Sequence, residues 1–330
     1  MTGDEILEIS RSFQRSSVLA AAVDLDLFSA LGLRSRTARE LAADLGADAR
    51  GIEVLLDALV SLGLLSKQGG EYSVPEGVAP LLGRHGPGSI LAMAQHQANC
   101  LRRWAQLAKV VKTGRPAERA PSIRGEDADR AAFIGAMDNI SGPMADGLVR
   151  ELDSIQFRHL LDVGGASGTW TIAFLRARPA AEATLFDLPE VIPLAERHLR
   201  EVGLKNRVRW VAGDFLEDPL PRGADLAWVS AIAHQNSRKQ NRLLFGRIFE
   251  VLETGGSILL RDIVMDPDRT SPPQGALFAV NMLVGTEGGG TFTFDELRED
   301  LEAAGFSEVA LLRRDQGMNS IVLGKKGRPR

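Results

Sequence analysis

The stretch Leu160-Leu161-Asp162-Val163-Gly164-Gly165-Ala166-Ser167-Gly168-Thr169-Trp170 decides the fold. Leu160, Leu161 and Val163 around Asp162 read as a short buried strand. Gly164, Gly165 and Gly168 permit a tight turn and the close approach of a ligand. Thr169 to Ala177 then reads as a helix whose first N–H groups are free. Strand, glycine turn and helix together form the mouth of a nucleotide site in a doubly wound sheet. A glycine turn can also serve packing alone, and the turn by itself leaves both readings open.

The glycine spacing separates ligand classes. A dinucleotide fingerprint needs G-x-G-x-x-G, so that the middle glycine admits a pyrophosphate. Here the order is G-G-x-x-G, which speaks against a nicotinamide oxidoreductase. Downstream, Leu185-Phe186-Asp187-Leu188-Pro189 reads as a second strand ending in an acid. An acid at that place can accept both ribose hydroxyls, with Leu188 beside it. A third strand, Val208 to Ala212, ends in Gly213-Asp214-Phe215, an acid and an aromatic face suited to adenine. Two acids without a basic cluster suit a ligand that lacks phosphates. S-adenosylmethionine, a ribosyl adenine carrying a sulfonium and an amino-acid tail, is such a ligand.

A fourth strand, Asp225 to Val229, runs on through Ser230 to His234. Ligands in open α/β sheets sit beyond the carboxyl ends of strands, so Ser230 and His234 stand at the mouth. Histidine can take a proton near neutral pH. A capping or merely polar loop histidine is the other reading, and position alone does not choose. From Ile155 onward strands and helices alternate, with strands beginning at Leu160, Ala183, Val208, Asp225 and Ser257. The fold class is therefore α/β, a mostly parallel Rossmann-like sheet. Ser307–Leu312 and Asn319–Gly324 close it as an antiparallel hairpin.

The first half reads differently. Ile6, Leu7, Ile9, Phe13, Val18 and Leu19 mark an apolar helical face, and a short helix continues through Val23–Leu33. Thr37 and Glu40 form a capping box for a helix to Leu45, which Gly46 ends. Asp48 caps the next helix, with Leu55, Leu56, Leu59 and Leu62 toward a core. Leu64–Lys67 and Glu71–Val74 flank Gln68-Gly69-Gly70 as a hairpin. Helix, helix, hairpin is a winged-helix pattern. Its second helix carries Asp48, Glu53 and Asp57 against Arg50, and an acidic helix repels phosphate, so DNA is not its expected partner. Pro75–Pro87 reads as a linker. Ser89–Thr113 reads as one long helix, and Arg130–Leu152 as a helix interrupted near Ser141-Gly142-Pro143.

The 330 residues suit two domains, and 44% hydrophobic residues suffice for real cores. A net charge of −4 carries no footprint for nucleic acid or an anionic membrane. Cys100 is the single cysteine, which rules out an internal disulfide framework. No apolar run reaches the roughly 18 residues of a membrane span, and the acidic start lacks signal-peptide character. A cytoplasmic protein is expected, with the basic tail 325–330 as a solvated end. His85, His159 and His198 show no metal-ligand spacing, so no metal is expected.

The segments DVGGASG, FDLPEVI, VAGDFLEDPLP and DLAWVSAIAHQNS, in that order, resemble the small-molecule O-methyltransferases that include the plant caffeic-acid and the hydroxyindole enzymes. The resemblance covers nearly the whole chain. It implies that His234 is the base that deprotonates an acceptor hydroxyl, and that S-adenosylmethionine is the methyl donor. The family usually continues His-Asp-Trp, where this chain has His234-Gln235-Asn236. Two acids normally flank the base. The first matches Asp262, a shorter side chain than the usual glutamate; the second position holds Thr291, with Glu287 close by in sequence. The loss of one acid would weaken the base and favour a more acidic acceptor. Phe133–Ser141 matches a helix that crosses the site, placing Met137 against the acceptor and Ser141 on the cofactor carboxylate. Met282 and Thr286 fall on acceptor-wall positions, and core packing is the other reading of Met137 and Met282. Phe278, His96 and Trp104 are further candidates for the pocket.

The expected organisation is a winged-helix-like dimerisation domain over residues 1–87, a helical connector over 88–152 and a cofactor-binding domain over 153–330. The resemblance implies a homodimer whose first domain helps wall the partner's active site. Asp162, Gly164, Gly165, Asp187, Leu188, Gly213, Asp214, Phe215, Ser230 and Ser141 are the expected cofactor residues. O-methylation of a small aromatic hydroxylated metabolite is the expected activity. A nitrogen or carbon acceptor, a non-methylating relative and a cofactor-sensing winged-helix regulator are the alternatives.

Overall fold

A computed structural model describes residues 1–84, 86 and 88–327. His85, the Pro87 end of the linker and the last three residues of the basic tail lie outside the described residues. The chain forms two compact units, one of residues 1–105 and 118–140, the other of residues 106–117 and 141–330.

In the first unit the helices follow their caps. Thr37 and Glu40 form the capping box of Ala38–Leu45, and Gly46 ends that helix at φ +61°. Asp48 accepts the Gly51 amide at 2.7 Å to open Ala49–Ser61. Gly69 and Gly70, both at positive φ, turn Ser66–Gln68 back onto Glu71–Ser73. Arg36–Thr37 adds a third strand to that hairpin, too short to signal itself in sequence. Tyr72, buried, donates to Asp57 at 2.7 Å, and Lys67 donates to the same oxygen, which ties the acidic helix to the wing. The core includes Ala22, Val23, Leu27, Phe28, Leu31, Leu41, Ile52, Leu56, Leu59 and Tyr72. Gly3–Arg11 contributes nothing to it: none of its residues is buried, and Ile6, Leu7 and Ile9 are exposed, as is Phe13 beyond it.

Two helix expectations need correction. Ser89–Thr113 is two helices, Leu91–Trp104 and Leu107–Thr113, parted at Ala105–Gln106. No glycine or proline marks the break. The first piece buries Leu91 and Ala98 in the first unit's core, whereas the second buries Val110 and packs on Pro273–Gly285 in the second unit. Tertiary packing overrides the continuous helical pattern. Conversely, Glu126–Glu151 is one helix with Pro143 inside it. Proline removes a single amide donor, and Gly142 before it has no Cβ to meet the ring.

The second unit is a seven-stranded sheet. Its spatial order is Ser307–Arg313, Ser320–Lys325, Ser257–Asp262, Leu226–Ser230, His159–Val163, Glu182–Asp187 and Val208–Ala212. The last five are parallel, and the terminal hairpin joins Ser257–Asp262 antiparallel. Leu160, Leu161, Val163, Leu226, Val229 and Leu260 are all buried, as strands covered on both faces require. From His159–Val163 the chain first builds one way and then the other, so the sheet's switch point lies between that strand and Leu226–Ser230. Val264–Met265 and Phe292–Thr293 form a further short parallel pair.

Candidate functional site

The glycine turn carries both of its readings at once. Gly164 and Gly168 sit at φ +69° and +78°, which favours glycine. A Cβ on Gly168 would also lie 2.3 Å from Leu199 Cδ1, and one on Gly165 would lie 2.6 Å from Leu185 Cγ. Packing therefore demands the glycines beneath the turn, and the turn in turn delivers its amides to the switch point. Ala166 donates to Asp187 Oδ2 at 2.7 Å, and Leu188 donates to Oδ1 at 2.7 Å. Burial pushes the Asp187 carboxyl above its ordinary range, against the pull of those two amides. Each oxygen keeps a lone pair for another donor.

Asp162 lies underneath. It is buried, and Thr171 Oγ1 donates to its Oδ2 at 2.6 Å. Burial pushes its carboxyl up to about 7. Its side chain braces the turn from below. At the end of the next strand Asp214 Oδ1 accepts the Leu216 amide at 2.8 Å. Gly213 is buried and Phe215 half-buried, and a Cβ on Gly164 would come within 4.0 Å of the Phe215 ring. An acceptor pair at Asp187 and an aromatic platform beside the turn match a ribosyl adenine, so these residues fit the cofactor. Ser141 is buried and Ser230 half-buried at the end of its strand.

His234 occupies a single 3-10 turn, Ala233–Gln235, just beyond Leu226–Ser230. Its Nδ1 lies 2.9 and 3.0 Å from the two carboxylate oxygens of Asp262. Asp262 also accepts the amides of His234, at 3.1 Å, and of Ile263, at 2.8 Å. An acceptor serving two amides has no proton to give, so Nδ1 carries the hydrogen and Nε2 keeps its lone pair. Both side chains are buried. Phe278 packs edge-on against the imidazole, centroids 4.8 Å apart.

The turn itself is held from two further sides. Asn241, wholly buried, donates to the Ala233 carbonyl at 3.0 Å and accepts from Asn236 at 3.2 Å. The Gly290 amide donates to the His234 carbonyl at 2.9 Å. Sequence reasoning missed both. The available signal was a polar Asn241 on the face that also carries Leu244, Phe245 and Ile248.

Glu287 is exposed and makes no hydrogen bond to His234. Thr291 is buried, and its carbonyl accepts from Arg269 at 3.1 Å. Thr286 donates to the Met282 carbonyl at 2.8 Å and accepts the Gly289 amide at 2.9 Å, so its hydroxyl holds the glycine loop. Met282 is buried. Met137, His96 and Trp104 belong to the first unit. There His96 meets Phe133 edge-on and lies 3.6 Å from Cys100 Sγ, and burial pushes its imidazole down to about 4. No helix among the described residues is long and apolar enough to cross a membrane.

Residues 104–307 match the O-methyltransferase domain, and residues 7–77 match the O-methyltransferase dimerisation domain. The chain is 34% identical to the tetracenomycin polyketide synthesis 8-O-methyl transferase of Streptomyces glaucescens, over 98% of this chain and 97% of that one. It is 31% identical to the N,N-dimethyltransferase OxyT of Streptomyces rimosus, over 91% and 90%. Among solved structures, human N-acetylserotonin methyltransferase in complex with S-adenosylmethionine aligns over 99% of both chains, with a TM-score of 0.82 at 28% identity.

Proposed function

The chain belongs to the S-adenosylmethionine-dependent O-methyltransferase family, and from that premise we propose that its His234–Asp262 pair deprotonates an aromatic hydroxyl group as that group is methylated. The observation that carries this is the buried carboxylate on Nδ1, which leaves Nε2 as the proton acceptor at the carboxyl end of the sheet. Bound S-adenosylmethionine supplies the methyl group on a sulfonium. The chain orients the base: Asp262 fixes the tautomer and steadies the imidazolium that forms. Phe278 and the buried setting keep the imidazole in one orientation. The aromatic acceptor is inferred from the polyketide 8-O-methyl transferase relative. The direct test is incubation with the methyl donor and a panel of phenolic polyketides and hydroxyindoles, read by product mass. Methylation of amines alone would overturn the hydroxyl reading.

In this proposal Asp187 holds the ribose, Asp214 and Phe215 take the adenine, with Leu188 and Gly213 beside them, and Ser141 and Ser230 serve the amino-acid tail. Asp162 and the turn glycines shape the cradle, while Met282 and Thr286 wall the acceptor. Asp187→Ala removes charge-assisted bonds worth roughly 1.5–3 kcal/mol each, so S-adenosylhomocysteine should bind at least about tenfold more weakly. Calorimetry showing unchanged affinity would remove the ribose assignment.

We place dimerisation in residues 1–87, a connector in 88–152 and methyl transfer in 153–330. The exposed face of Ile6, Leu7, Ile9 and Phe13 is apolar surface that a second copy would cover. Obligate interfaces commonly bury over about 2,000 Å². Light scattering is expected to give a dimer at micromolar concentration, and Ile9→Glu with Phe13→Glu should shift it toward monomer. A wild-type monomer under those conditions would defeat the placement.

A further inference from the structure

Arg261 is a buried cation without an anion. Its residue is 1% exposed, and it makes no ion pair among the described residues. Nε and Nη2 donate to Asn319 Oδ1 at 2.9 and 2.7 Å, and Nη1 donates to Ser230 Oγ at 3.1 Å. Nη2 lies 3.7 Å from Met144 Sδ, and the guanidinium carbon stands 4.6 Å over the Trp170 ring. The two nearest influences of opposite charge are Asp262 and Asp315. Asp262 is committed to Nδ1 of His234 and two amides; Asp315 Oδ1 accepts the amides of Gly317 and Asn319. Burial pushes the guanidinium down to about 10, so it stays charged at neutral pH. A desolvated cation in this state is unfavourable unless something anionic completes it.

The sheet order indicates where that anion comes from. Asp187 ends and Asp214 follows the strands on one side of the glycine turn, while Ser230 ends and Arg261 is next to last in the strands on the other side. A ligand with its adenosine on the first pair extends its tail toward the second. Ser230 is half-buried there, and one lone pair of its hydroxyl is occupied by Arg261. Its own proton is left to donate outward. Met144, against the guanidinium, lies one helical turn from Ser141. We propose that Arg261, acting through the Ser230 hydroxyl, is the charge that selects the carboxylate of the cofactor's amino-acid tail. The pairing would then be completed only in the bound state, and Arg261 is a positioning residue rather than a catalytic one.

This rests on S-adenosylmethionine as the cofactor and not on His234 as the base. The test is calorimetry with S-adenosylhomocysteine and with 5′-methylthioadenosine, which keeps the adenosine and thioether but lacks the carboxylate. Arg261→Met is expected to weaken S-adenosylhomocysteine about tenfold or more and to move 5′-methylthioadenosine by less than about threefold. Arg261→Lys should recover part of the loss. Ser230→Ala, which leaves the cation in place, should show the same selectivity at smaller size, and decides the matter if Arg261→Met does not fold. Equal losses for both ligands, or no loss for either, would overturn the proposal while leaving the adenosine site intact. Failure of both ligands to bind the wild type would overturn the cofactor site with it.

Discussion

His234→Ala is expected to lower kcat by about 10²–10⁴-fold while S-adenosylhomocysteine affinity stays nearly unchanged. The separation follows from the strand order. His234 follows Leu226–Ser230 and is bound to Asp262 at the end of Ser257–Asp262, whereas Asp187 and Asp214 lie across the glycine turn. Methyl transfer needs mainly proximity and alignment, so the histidine matters only through the proton it removes. The size of the loss should therefore depend on the acceptor. A phenol already ionised at the assay pH scarcely needs a base, and its turnover should fall little. A weakly acidic hydroxyl should show the full loss, recovered as the pH is raised. Measuring both acceptors across pH decides the role. Near-wild-type turnover of the weakly acidic acceptor would mean that His234 is structural.

The sheet was legible because its strands are short apolar runs ended by glycine or acid, and those ends are also where ligands sit. Thr169–Ala177 was readable to the residue, since Gly168 stands before it and the apolar run defines it. Asp262 was located through the resemblance, and it is the last residue of its strand. Three features were not legible. The break at Ala105–Gln106 has no local marker, because it reflects which core each half joins. Pro143 misled because Gly142 before it has no Cβ to meet the ring, and the helix runs on through it. Arg261 gave no signal, because a charged residue in a strand reads as an exposed edge position, and only the fold shows it stacked on Trp170.

The glycine loop carries the second large effect. Gly288-Gly289-Gly290 precedes Thr291, the position that the resemblance assigns to a second acid. No acidic side chain from that loop reaches His234; the main chain does so instead. A Cβ on Gly289 would stand 2.5 Å from the His234 carbonyl oxygen, 2.5 Å from Thr286 Oγ1 and 3.0 Å from the Gln235 carbonyl. Two of those three atoms are backbone, so the histidine turn or the loop must move. The Gly290 amide, one residue on, would lose its 2.9 Å bond to His234. A displacement of about 1 Å in a positioned group can cost about 10²-fold in rate. Gly289→Ala is therefore expected to lower kcat by about 10–10²-fold with cofactor affinity unchanged, and overpacking to cost about 1–3 kcal/mol in stability. Gly290→Ala is the control within the same loop: nothing lies within 4 Å of its Cβ, so its activity should stay close to wild type. If Gly289→Ala were as active as Gly290→Ala, close contact between loop and turn would not govern the histidine. The orientation of His234 would then rest on Asp262, Asn241 and Phe278.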